Sequence, residues 1–310
     1  MRRLATLVLV LCASAAQVRA DAYDPALEKL IGPPTAIGQP VVPTTQQITA
    51  YRSLMSEMSV ILAPTLMTPA DSLGWSGFQL SVETTFTQIS RQSDFWQKGA
   101  SNPTADYVPS LTVFARKGIW LPAPSFEIGA GGTKFFDSSL YAMQLYAKFA
   151  IHEGFHDWPL PSFALRAAVA RVFGSSQMDM TILSFDLTVS KSFGLGGKVK
   201  IDPYVGFNPL VTLTGSQVID TTPGIDAFKA QNPMMNDLVS NAVFPQLDAI
   251  VRWRLFTGFR LVYGIFGLSG ELAYTLCNDT GGSCGAGSST KVVDRSHGQL
   301  QMSFAGSLIF

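Results

Sequence analysis

Gln299-Leu300-Gln301-Met302-Ser303-Phe304-Ala305-Gly306-Ser307-Leu308-Ile309-Phe310 closes the chain and decides how the rest of it is read. Even positions carry Leu300, Met302, Phe304, Gly306, Leu308 and Phe310. Odd positions carry Gln299, Gln301, Ser303, Ala305 and Ser307, with Ile309 the one large apolar residue among them. Successive side chains of a strand point to opposite faces, so this stretch predicts a strand with one apolar and one polar face.

The same period recurs upstream. From Gly77, the residues Phe78, Leu80, Val82 and Phe86 alternate with Gln79, Ser81, Glu83, Thr85 and Thr87. Tyr141–Ile151, Phe163–Phe173, Leu183–Val189 and Leu268–Leu276 repeat the pattern, and the charges inside these runs (Glu83, Lys148, Arg166, Asp186, Glu271) fall on the polar parity. Counting back from Phe310 places strands near 299–310, 268–277, 249–263, 198–213, 180–190, 162–173, 140–151, 124–133, 108–116 and 77–88. That is about ten, with twelve the alternative, because Pro203 and Pro209 sit badly in a sheet without a free edge. Short connections (Lys117–Pro122, Gly194–Gly197, Gly264–Gly267) alternate with long ones (Ile89–Val108, Thr214–Gln246, Asn278–Gly298), and His152–Pro161 is the one long stretch on the short side.

Composition agrees. Of 310 residues only 14% are charged, with 22 basic against 22 acidic, so nothing points to nucleic acid. Mean hydropathy is positive, yet the one long apolar run lies at the N-terminus. There Arg2 and Arg3 precede Leu4–Cys12 and a small-residue tail, a secretion signal expected to end after Ala20. A bulky Leu11 before Cys12 makes a poor lipoprotein signal. Secretion leaves Cys277 and Cys284, seven positions apart in a Gly-rich loop, as a candidate disulfide.

Alternation, loop lengths and a terminal aromatic together resemble the Gram-negative outer-membrane β-barrel proteins, over about residues 77–310. The resemblance implies an all-β fold, a transmembrane antiparallel barrel that contacts outer-membrane lipid. It also implies that the closing strand, through Phe304, Leu308 and Phe310, is the signal met by the barrel-assembly machinery. Before the barrel, residues 21–76 are expected to be a periplasmic linker followed by an amphipathic helix at about 46–59, from the helical spacing of Ile48, Tyr51, Leu54, Met55 and Met58. The helix is expected at the periplasmic rim; the alternative is a plug entering the barrel.

Three stretches could carry chemistry. His152-Glu153-Gly154-Phe155-His156 matches the H-E-x-x-H zinc pattern, but that chemistry needs a helix, and here a period-two run leads into Trp158-Pro159-Leu160-Pro161. A periplasmic turn is expected, with no metal or other cofactor. His297, beside Asp294 and Ser296, is the one histidine on a predicted outer loop and is expected to be solvated loop polarity. Arg252, Arg254 and Arg260 share the lumenal parity of one strand. They could form an anion-selecting constriction, and the structural alternative, pairing with lumenal carboxylates, is preferred in so narrow a barrel. A hairpin centred on Ile265-Phe266 would set Arg260 directly against Glu271. The function expected is non-enzymatic: a narrow channel for small or hydrophobic solutes, or an anchor for an envelope complex. An outer-membrane hydrolase with its site at the outer rim is the alternative.

Overall fold

The computed structural model describes residues 21–34, 41–65, 67–120, 125–153, 160–222, 240–276 and 292–310. The signal peptide, His156, the Asn278-Asp279-Thr280 stretch and the Cys277–Cys284 pair lie outside the described residues. Among the described residues eleven strands follow one another: β1 (Phe78–Gln88), β2 (Tyr107–Ile119), β3 (Phe126–Phe135), β4 (Tyr141–His152), β5 (Ser162–Phe173), β6 (Met178–Ser190), β7 (Phe193–Leu195), β8 (Val199–Ser216), β9 (Ile250–Tyr263), β10 (Phe266–Thr275) and β11 (Gln299–Ile309). Every pairing is antiparallel, β1 pairs with β11, and β6 pairs with β8, so ten long strands close into a barrel while the short β7 hangs on the end of β8. The count is ten, not twelve.

Parity does the sorting. On β1 the residues Gln79, Ser81, Glu83, Thr85 and Thr87 are buried inside, and Phe78, Leu80, Val82 and Phe86 are exposed outside. The outward faces of all ten strands make an apolar band. Phe78, Trp120, Phe163, Tyr263, Phe266 and Phe310 stand exposed toward one end, and Tyr107, Tyr141, Phe173, Trp253 and Tyr274 toward the other. An apolar belt flanked by aromatic girdles on a closed barrel is the outer surface of an outer-membrane β-barrel. No helix among the described residues is long and apolar enough to cross a membrane. The end carrying the short turns and Phe310 is the periplasmic one by the usual asymmetry of such barrels. Phe310 is tied there by paired backbone bonds to Phe78 (2.8 and 2.9 Å).

The N-terminal segment corrects the expectation of a periplasmic linker. Helices α1 (Leu27–Ile31), α2 (Thr45–Leu62) and α3 (Asp94–Gly99, between β1 and β2) gather at the outer end. Tyr23 N donates to Asp137 O, Ala26 N to Gly99 O, and Leu27 N to the Gln177 side chain, all in outer connections. Helix α2 starts on a Thr44/Gln47 capping box and stops where Ala63 precedes Pro64. It enters the barrel from outside, and the described residues after it, 63–65 and 67–73, run down the lumen, tied to wall side chains from Pro64 to Ser72, toward the periplasmic end, where β1 begins. The rim helix expected from the sequence is therefore a plug. Its polar residues Ser53, Ser56, Glu57 and Ser59 are as buried as Tyr51, Leu54, Met55 and Met58, because a barrel interior offers polar as well as apolar partners.

One turn also departs from expectation. Tyr263 pairs with Phe266, so the two-residue hairpin is Gly264-Ile265, one position earlier than expected. Gly264 takes φ 58° at the first central position, where a type II′ turn needs glycine. Ser269 then faces Arg260, and Glu271 faces Gly258.

Candidate functional site

The lumen divides along its length. In the outer half, α2 buries Tyr51, Leu54, Met55, Met58 and Leu62 against inward-facing Ala142, Ala170, Val172, Met180, Ile182, Leu210 and Ile250. Full burial of such a side chain is worth about 1.5–3 kcal/mol, an upper estimate for a chain that is partly collapsed when unfolded. Tyr51 also stacks on Phe244 at 4.4 Å.

Toward the periplasm the inner wall becomes charged. Glu127, Lys148, Arg166 and Asp186 sit directly across from one another on β3, β4, β5 and β6. The row reads minus, plus, plus, minus: Lys148 lies 3.2 Å from Glu127, and Arg166 pairs with Asp186. Each cation of the central like-charged pair thus has its own carboxylate. The row runs on through Asn208 on β8, which donates to Asp186, and Arg254 on β9, whose Nε donates to Asn208 Oδ1 at 3.0 Å. Beside it, Arg116 holds Glu83 at 2.7 Å, and Arg260 holds the directly opposed Asp202 at 2.8 Å.

The descending segment is held by its backbone. Arg254 donates to Pro64 O (3.2 Å), Arg116 to Met67 O (3.3 Å), and Lys148 to Pro69 O and Asp71 O (3.3 and 3.0 Å). Between plug and wall a cavity of about 20 Å³ remains, lined in part by Thr65, Arg254, Glu271 and Gln301, which is room for about one water.

The sequence-predicted residues are therefore occupied rather than aimed into an open pore. Arg252 donates to Ser56 Oγ (3.0 Å), His297 O (2.8 Å) and Leu276 O (3.1 Å). Arg260 belongs to Asp202, and Glu271 accepts from Tyr204 Oη at 2.9 Å. The direct Arg260–Glu271 opposition fails because the hairpin closes one residue early, although both side chains do face the lumen. His152 ends β4, and Glu153 accepts from Ser72 N (2.8 Å) and Ser125 Oγ (2.7 Å), so its carboxylate ties the plug exit to a turn. Among the described residues no cluster of metal-ligating side chains occurs. Phe304 and Phe310 point outward and are exposed.

At the outer rim the structure assembles a group the sequence did not reveal. Glu57 of α2 is fully buried and accepts from Ser90 N (2.9 Å), Trp96 Nε1 (2.7 Å) and His297 N (2.9 Å). His297 Nδ1 lies 3.8 Å from the same carboxylate. Glu57 favours the imidazolium and pushes the His297 pKa up, against the opposing effect of partial burial. Beside His297 opens a pocket of about 310 Å³ lined by Gln46, Thr49, Ser53, Ser93, Asp94 and Arg295. Asp294 and Ser296 are not solvated loop polarity: both are buried, Asp294 caps Ser296 N (2.9 Å), and Ser296 Oγ accepts from Ser56 (3.0 Å). Glu57 sits amid helical spacing, and the signal for it is a lone carboxylate in a helical stretch whose one other charge is Arg52.

Fold and lumen together define the class: a ten-stranded outer-membrane β-barrel plugged by its own N-terminal segment. No family model and no curated protein matches the chain. Among solved structures it is similar to the Neisserial surface protein A (12% identity, 74% of this chain and 96% of that one, TM-score 0.27). It is also similar to the attachment invasion locus protein Ail of Yersinia pestis (10%, 76% and 99%, 0.27) and to outer membrane phospholipase A from Escherichia coli (10%, 82% and 97%, 0.29). The barrel assignment rests on the strand pairings and the apolar band, not on these likenesses.

Proposed function

We propose that this chain is a non-enzymatic anchor in the outer membrane, a barrel that holds a folded cap at the cell surface and does not conduct at rest. The observation that carries this is the plug in the lumen, where the described residues leave a cavity of about 20 Å³ between plug and wall. A solute route would require α2 to leave the outer half, at the cost of the apolar contacts described above. Planar-bilayer recording of the refolded protein is expected to show no steady conductance. Stable, stepwise openings of the wild-type protein would overturn the anchor reading in favour of a channel.

The Glu57–His297 pair beside the rim pocket favours a second reading, a hydrolase that uses His297 as a base. Turnover of a fluorogenic phospholipid ester, lost in His297→Ala and Glu57→Gln, would support it. Absence of turnover supports the anchor. In either case Phe310 serves as the assembly signal, and its deletion is expected to leave secretion intact while lowering the amount of folded barrel in the membrane.

A further inference from the structure

The barrel closes on a flawed seam. Along β6 and β8 the pairs Ser184–Leu210 and Leu187–Phe207 flank an interruption at Phe185 and Asp186, opposite Pro209 and Asn208. Pro209 has no N–H to give, while on its other side it keeps its place opposite Trp253 of β9. Phe185 O instead accepts from the Asn208 side chain at 3.0 Å. One proline in a sheet without edges is thus tolerated because its neighbour supplies a substitute donor from inside the lumen.

Outside this point the wall is hollowed. Ala147 and Ala167, directly opposed on β4 and β5, and Pro209 are small side chains in one outward row in which Phe185 alone of the groove-lining residues is large, standing between Ala167 and Pro209 as one flank of the hollow, and Phe149, Leu165, Leu187 and Phe207 belong to the next row toward the periplasm. The groove they form has a volume of about 510 Å³, within the range of ligand-binding pockets. It lies on the lipid-facing band, above the periplasmic girdle, where hydrocarbon is the solvent. Elsewhere on the band Leu, Val, Met and Phe stand outward, as at Leu80, Val82, Met143 and Leu145.

We propose that this groove is a binding site for one acyl chain of a periplasmic-leaflet phospholipid, created where Pro209 interrupts the wall. The outward side chains that line it are apolar, and Arg166 and Asp186 at its floor are buried and paired with each other across the wall, so the site takes a flexible hydrocarbon and no headgroup. Shape alone makes it different from the rest of the belt, through dispersion contacts on several sides of the chain.

The test reconstitutes the full mature chain in nanodiscs containing a phosphatidylethanolamine with a diazirine in mid-chain, followed by irradiation, digestion and mass spectrometry. Labels are expected to concentrate on peptides bearing Ala167, Phe185 and Phe207, above those bearing Leu80 and Phe304. Ala167→Phe, which fills the hollow, should bring labelling there down to the level of the rest of the wall and leave the Leu80 and Phe304 labels unchanged. Ala147→Leu does the same from the facing strand if Ala167→Phe does not fold. Even labelling around the wild-type barrel would overturn the proposal, as would unchanged labelling in the filled variant. Oxidative crosslinking of two copies of a Phe185→Cys variant, beyond that of the parent chain, would assign the groove to a dimer contact and overturn it as well.

Discussion

The outer and periplasmic halves of the lumen hold the same chain segment by opposite means. Outside, α2 is gripped by its side chains, from Tyr51 to Leu62, in an apolar core shared with the wall. Inside, the described residues between 64 and 71 are gripped chiefly by their carbonyls, through Arg254, Arg116 and Lys148, with the Asp71 side chain accepting from Ser192, while those cations also answer wall carboxylates or amides. The first half specifies sequence in the plug; the second tolerates it, because every residue has a carbonyl. The charged half also stiffens the wall on its own account, since Arg166–Asp186 and Asp202–Arg260 bridge neighbouring strands without the plug.

Substitutions that treat the two halves differently sharpen this contrast. Leu54→Asp puts a charge into the apolar half, where an unpaired buried ion costs several kcal/mol. It is expected to expel α2 and produce intermittent conductance, read in planar bilayers. Next in size, Asp186→Ala strands Arg166 inside the charged half and should lower unfolding stability in urea by about 3–5 kcal/mol. The Arg166→Met/Asp186→Ala double variant should lose less than the two single losses together, and additive losses would show that the pair is not coupled.

Asn208→Leu tests the link between wall and plug. It removes the substitute donor at Phe185 O and the acceptor for Arg254, for an expected loss of about 1–3 kcal/mol. Faster hydrogen exchange at the β6–β8 seam, with β1–β2 unchanged, is the accompanying signature.

The Glu57–His297 contact should give a small pH dependence. Because the folded pKa of His297 is raised, its contribution is fully present below the unfolded value of about 6.5 and is lost as pH rises through the folded value. With His297 40% exposed on its side chain, the effect should stay below about 1 kcal/mol. Urea midpoints measured on either side of that window should converge in His297→Gln. Smallest of all, Thr65→Val in the backbone-gripped segment should change stability by no more than about 0.5 kcal/mol. A large loss there would break the distinction between the halves.

The sequence displayed the wall far better than its contents. Each strand repeats its own period-two signal, so Glu83, Lys148, Arg166, Asp186 and Glu271 could be placed inside from parity alone, and they are inside. Helix α2 was misplaced for a physical reason: Ser53, Ser56 and Glu57 look like a solvent-facing stripe, but a barrel lumen inverts the usual rule and offers buried polar partners. The plug partners of Arg252 and Arg254, Ser56 and Pro64, come from a segment some two hundred residues away in sequence, and no local pattern announces them. Pro209 was legible as an anomaly, while Asn208 as its remedy required the neighbouring strand. The register at Gly264 slipped because two flanking glycines leave two ways to close a short turn, and only the backbone conformation selects one.

The central claim is that the chain enters its own barrel from the outer end. An epitope placed at the N-terminus of the mature chain, probed by antibody on intact Gram-negative cells, tests it most directly. The fold described here predicts binding on intact cells, with no increase when the outer membrane is permeabilised. Binding that appears only after permeabilisation would put the N-terminus in the periplasm and contradict the plug.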